Sequence, residues 1–157
     1  MREIRPGNDA TGLRFGLVAA RFNEAYVQRL VQGALDVLRA RGAADADLEL
    51  AWVPGSYELP LAARWLAERG QRDAILAFGV VIRGETEHFR LVADAASNGL
   101  LRVTLDTGVP VLNGVLAAYD AAQAEARCGG AVGNRGSEIA LAAVQMARLR
   151  AEVGLSG

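Results

Sequence analysis

The chain has 157 residues, 52% hydrophobic and 22% charged, which suits one globular domain with its own core and excludes a disordered chain. A formal net charge of −1 excludes the basic surplus of a nucleic-acid binder. A lone cysteine, Cys128, excludes an intrachain disulfide framework and fits a reducing cytoplasm.

The first residues, through Gly12, are polar and read as an arm outside the core. They carry no apolar signal core, and the longest apolar run, Ala74 to Ile82, falls far short of the roughly 20 residues of a membrane helix. A cytoplasmic protein without membrane contact is expected. Phe15 to Ala20 is a short apolar run and predicts a buried strand. Tyr26, Leu30, Ala34, Val37 and Leu38 recur at helical spacing and predict a helix from about Glu24 to Arg41, stopped by Gly42. Leu48 to Val53 predicts a second strand, ended by Pro54-Gly55, and about Glu58 to Arg69 a second helix. Asp73 to Ile82 predicts the most buried strand, and about Thr86 to Leu101 the helix after it. Val109 to Leu116 predicts a fourth strand, Asp120 to Cys128 a short helix, and about Arg135 to Arg150 the last helix, rich in alanine. Strands alternating with helices predict an α/β fold, a parallel sheet covered on both faces, within one domain spanning 1–157.

Ligands of such sheets bind outside the carboxyl ends of the strands. Those ends are chemically rich here: Arg21-Phe22-Asn23, then Pro54-Gly55-Ser56-Tyr57-Glu58, then Arg83-Gly84-Glu85-Thr86-Glu87-His88, with Asn113-Gly114 in the fourth strand. Together they offer an aromatic face, hydroxyls, carboxylates, amides, cations and the only imidazole, a set suited to a planar, hydroxylated ligand in a preformed cleft. His88 is either a surface residue in the first turn of a helix or a proton shuttle. Gly84-Glu85-Thr86 is either a capped helix start, with Thr86 as N-cap, or an anion site. Phe22 is either a hydrophobic staple or a platform for a heterocycle. Glu58 and Arg127 either complement helix dipoles or bind a sugar-like hydroxyl and a phosphate. Neither a nucleoside-triphosphate loop nor a dinucleotide fingerprint occurs. With one histidine and one cysteine, a metal site would need mostly carboxylates, and none is expected.

Arg21-Phe22-Asn23, AWVPGSYELP (51–60), GVVIRGETEHF (79–89), TGVPV (107–111) and GNRG (133–136), in this order, make the chain from about Thr11 to Met146 resemble the lumazine synthase family. The resemblance implies a flavodoxin-like three-layer α/β/α sandwich on a four-stranded parallel sheet. It implies the penultimate enzyme of riboflavin biosynthesis, a transferase condensing 5-amino-6-(D-ribitylamino)uracil with 3,4-dihydroxy-2-butanone 4-phosphate, without metal or organic cofactor. His88 then matches the acid-base residue and Phe22 the residue stacked on the pyrimidine. Ser56, Tyr57 and Glu58 match the segment holding the ribityl chain and ring, and Val80, Val81 and Ile82 the strand end lining the pyrimidine pocket. Glu85, Thr86 and Arg127 match the phosphate site, and Arg135 a basic position, commonly lysine, near the active site.

The family's sites lie between subunits of a homopentamer, so residues matching Asn113 and Arg127 come from the neighbour, and the N-terminal arm pairs with a neighbour's sheet. Some members assemble twelve pentamers into an icosahedral shell, which can enclose riboflavin synthase. The compact loop Gly129 to Gly136 favours the shell. The chain departs from the family at Asn113, where phenylalanine is frequent, and at Ala117-Ala118, where two threonines are frequent. Two other functions fit part of the pattern. One is a non-catalytic homologue that stores or senses riboflavin or lumazine, against which His88 and Arg127 speak. The other is a flavodoxin-like FMN carrier, against which the lack of a hydroxyl-rich loop after the first strand speaks.

Overall fold

A computed structural model describes residues 1–154. Four parallel strands, β1 (Phe15–Ala20), β2 (Leu48–Val53), β3 (Ala74–Ile82) and β4 (Val111–Ala118), form one sheet in the order β2-β1-β3-β4. Helices α1 (Glu24–Ala40), α2 (Leu59–Arg69), α3 (His88–Thr107), α4 (Ala121–Arg127) and α5 (Arg135–Glu152) cover it. The result is a flavodoxin-like three-layer α/β/α sandwich.

The layers follow from the two-residue period of the strands. In β3, Ala74, Leu76, Phe78 and Val80 enter one core, joined by α1, α4 and α5 through residues such as Leu30, Leu38, Ala124 and Val144. Ile75 and Ala77 enter the other, filled by Leu59 and Leu66 of α2 and Leu100 and Val103 of α3. β1 divides the same way, Phe15, Leu17 and Ala19 against Val18 and Ala20. Strands buried on both faces must be apolar throughout, which is why they read as unbroken runs. Each large side chain buried here contributes about 1.5–3 kcal/mol relative to exposure. Edge strand β2 differs, with Leu50 and Trp52 only partly covered.

The Gly133-Asn134-Arg135-Gly136 motif works as a helix clamp. Asn134 caps α5 by accepting from the Ser137 N–H at 3.1 Å, and its amide donates to the Arg29 carbonyl at 3.0 Å. A Cβ at Gly136 would collide with the Leu30 carbonyl, so glycine is what lets α5 close onto α1. The alanines of α5 extend that close contact.

Several boundaries differ from expectation. α3 begins at His88 rather than Thr86, because the Thr86 hydroxyl accepts from the His88 N–H across a turn and does not cap the helix. It also runs past Leu101 to Thr107, carried by buried Val103 and ended by left-handed Gly108. β4 therefore starts after Pro110, whose carbonyl accepts from Ile75, and ends at Ala118 opposite Ile82. Cys128 does not end a helix: it opens a small hairpin of β5 (Cys128–Gly130) and β6 (Gly133–Asn134). The arm lies outside the core up to Asp9, but Ala10 is buried in it, fixed by its N–H to the Arg41 carbonyl. Arg148 of α5 holds the Asp9 and Thr11 carbonyls at 2.7 and 2.8 Å. Among the described residues no helix is long and apolar enough to cross a membrane.

Candidate active site

The carboxyl ends of β1, β2 and β3 open into one cleft of about 710 Å³. It follows from the parallel sheet: each chain segment leaving a strand at this edge must turn toward its helix, and the turns leave a crevice between them. Phe22, from the loop after β1, forms one lip, with Ser56, Tyr57 and Glu58 following β2. Val80, Val81 and Ile82 bring in the end of β3, and Thr86 and His88 close the set from the turn into α3. The walls are largely apolar, with polar groups few and placed at the strand ends.

Local sequence explains these positions. The loops after β1 and β2 are stitched by backbone, Arg21 N–H to the Val53 carbonyl at 2.8 Å and Phe22 N–H to the Pro54 carbonyl at 3.1 Å. Ser56 is buried against β3, where a Cβ at Gly79 would strike its hydroxyl. Pro60, in the first turn of α2, fits against Gly99 of α3, where a Cβ would come within 2.6 Å of the proline ring. Glycine at these two places brings the Ser56–Glu58 turn down onto the sheet edge. Phe22 and Tyr57, by contrast, keep 72% and 67% of their surface in water, so both rings face the cleft with little packing behind them.

The remaining candidates lie elsewhere on the chain. Glu85 lines a neighbouring polar groove of about 270 Å³, with Arg83, Glu87, Arg90 and Tyr119. Gly84 and Thr86 border both spaces, so the turn between β3 and α3 is the wall that divides them. In the groove the Arg83 guanidinium lies 5.7 Å from the centre of the Tyr119 ring, which meets Phe89 edge-on at 6.3 Å. Arg90 pairs with Glu87 at 3.5 Å.

Asn113 does not stand at the carboxyl edge. It pairs with Ala77 inside the sheet, because β4 starts at Val111, and its amide donates to the Ser97 hydroxyl at 2.8 Å. Arg127 ends α4 with its guanidinium on the Gln123 carbonyl at 3.2 Å. Arg135 opens α5 and pairs with Glu138 at 2.9 Å. None of these three lines the cleft of its own chain.

Sequence reasoning missed Phe89 and Val92, which also line the cleft. Val92 follows His88 by one helical turn and so shares its face, a spacing already contained in the helix predicted from about Thr86 to Leu101. Among the described residues no three histidine, cysteine or acidic side chains gather as a metal site would require. The cleft can thus take a flat, partly apolar ligand against Phe22 and β3, with hydroxyls beside Ser56 and Glu58 and a proton donor or acceptor at His88. Residues 12–151 match the family model described as 6,7-dimethyl-8-ribityllumazine synthase.

Proposed function

The chain belongs to the 6,7-dimethyl-8-ribityllumazine synthase family, and from that premise we propose that it joins 5-amino-6-(D-ribitylamino)uracil to 3,4-dihydroxy-2-butanone 4-phosphate in the cleft at the carboxyl edge of the sheet. The observation that carries this reading is the convergence, in one largely apolar cleft, of an exposed aromatic face, a strand end and the only imidazole of the chain.

The pyrimidine stacks on Phe22 and lies along Val80, Val81 and Ile82. The ribityl hydroxyls meet Ser56, Tyr57 and Glu58. The pyrimidine amine attacks the ketone carbonyl, and the adduct loses water to give an imine. Phosphate then leaves with loss of a proton from carbon, and the ribityl-bearing nitrogen closes the ring with loss of a second water. Each step moves a proton between carbon, nitrogen and oxygen, and His88 is the group placed to carry it. Such proton transfer contributes typically about 10²–10⁴-fold.

The phosphate is held by the turn at Glu85 and Thr86, where a hydroxyl and main-chain N–H groups precede α3, with the Arg127 guanidinium of a neighbouring subunit opposite. Asn113 comes from the same neighbour, and Arg135 adds positive charge nearby. Asn113 and Arg127 do not line the cleft of their own chain, so their roles need a neighbouring subunit, and the site is complete only in an oligomer, a homopentamer able to build an icosahedral shell. The free side of β2 takes a neighbour's N-terminal arm. The surface supports this assembly: Leu61 and Trp65 share a face of α2, Leu101 and Leu105 a face of α3, and all four stand exposed. Large exposed apolar faces mark surfaces that another chain covers.

Mixing both substrates with purified protein and following lumazine absorbance tests the proposal. Product well above the uncatalysed condensation is expected. Background turnover by folded protein that still binds riboflavin would transfer the assignment to a storage or sensing protein.

A further inference from the structure

We infer that Asn23 is a positioning residue that sets the Phe22 platform against the end of β3; this rests on the reading of the cleft as the condensation site. Asn23 joins β1 to α1 in the left-handed conformation, φ 58° and ψ 39°. Among the described residues only Gln71 shares a positive φ without being glycine. Asparagine tolerates this region better than most side chains, and such residues gather at functional sites.

Asn23 occupies the capping place of α1, yet its side chain caps nothing. The first turn is served by its main chain, whose carbonyl accepts from Tyr26 and Val27 at 3.1 and 3.2 Å. The amide instead donates to the Val80 carbonyl at 2.7 Å, across to β3. The pairing of β1 with β3 ends at Ala19 opposite Phe78. Beyond that pair the chain stays with β2 for one more residue and leaves β3, and the Asn23 side chain ties it back to Val80, which pairs with Leu116 of β4.

Phe22 therefore sits between two anchors. Its own N–H is tied to Pro54 after β2, and the next residue is tied to Val80 in β3. With 72% of its surface exposed, the ring has little packing to hold it, so these two ties, one main-chain and one through the Asn23 amide, fix its distance from the strand end that lines the same cleft. A ligand slotted between ring and strand is sensitive to that width.

Two variants separate the amide from the backbone it sits on. Asn23→Gly keeps the left-handed turn without steric cost and removes the amide. Asn23→Asp keeps the shape and sets a carboxylate oxygen against the Val80 carbonyl. For Asn23→Gly, KM for the aminopyrimidine should rise about fivefold, the size of one net hydrogen bond, with KM for the butanone phosphate unchanged. Riboflavin, used as a probe by the quenching of its fluorescence, should bind weaker by a similar factor. Asn23→Asp should exceed both effects. The thermal midpoint of Asn23→Gly should stay near that of the wild type. Equal KM and riboflavin affinity in wild type and Asn23→Gly would overturn the positioning role, as would a rise in both KM values together with a fall in thermal midpoint. A wild type that makes no product would overturn the condensation reading and this inference with it, whereas an active wild type with an unmoved Asn23→Gly strikes this inference alone.

Discussion

Removing the ring of Phe22 should damage binding of one substrate and leave the fold intact. With 72% of its surface in water, the side chain contributes little to the free protein, so Phe22→Ala should shift the thermal midpoint hardly at all. In the complex the loss is larger. Aromatic stacking is worth about 0.5–1.5 kcal/mol beyond area terms. Covering about 60 Å² of one ring face adds about 1.5 kcal/mol at roughly 25 cal/mol per Å². The sum, about 2–3 kcal/mol, corresponds to roughly 30- to 150-fold weaker binding of the aminopyrimidine. Steady-state kinetics with each substrate varied in turn, beside calorimetry of the free protein, reads both quantities. A pyrimidine KM within twofold of wild type would refute the stacking role, and a large fall in thermal midpoint would show that Phe22 is a packing residue after all.

Arg127→Ala should raise KM for the butanone phosphate by about 10- to 100-fold, the scale of charge-assisted hydrogen bonds, and an equal rise for the pyrimidine would remove the phosphate role. Burial pushes the Cys128 thiol above its ordinary value, so a disulfide reagent should modify it slowly in native protein and at once in denaturant; fast native labelling would contradict its place in the core. The guanidiniums of Arg72 and Arg69 hold the Glu49 carboxyl below its ordinary value of 4.5. Its contribution should be complete above about pH 4.5 and be lost as pH falls through the lowered folded-state value. The thermal midpoint of wild type should thus exceed that of Glu49→Gln near neutrality and converge with it in acid, the gap in stability being no more than about 1 kcal/mol since the cluster is partly exposed; a constant gap would refute this.

β1 was legible because burial on both faces leaves no room for polar residues, and the edge strand β2, which carries Glu49, because Pro54-Gly55 stops its run; both carry the ends read from the sequence. Helix ends were less so. Thr86 has the chemistry of a cap, but the decision to bond the His88 N–H within a turn is tertiary, imposed by where β3 ends. The hairpin at Cys128–Asn134 is too short for any hydrophobic period to show. In the cleft, Phe22, the Ser56–Glu58 turn and Val80–Ile82 come together because residues following parallel strands must share an edge. Asn113 was grouped with the strand ends, but β4 starts at Val111 and leaves it inside the sheet opposite Ala77; the charge of Arg127 suggested a phosphate but fixed no place for it, and only the family resemblance linked Arg135 to the site. Asn23 was visible as part of a motif, but its bond to Val80 depends on the pairing of β1 with β3 ending at Phe78, two residues short of Val80, which no local pattern records.

The most direct measurement is lumazine formation by wild type and His88→Ala at saturating concentrations of both substrates. Proton transfer by His88 predicts a kcat lower by about 10²–10⁴-fold in the variant, with riboflavin affinity within about twofold. Equal turnover by the two proteins would contradict an imidazole-driven condensation in this cleft.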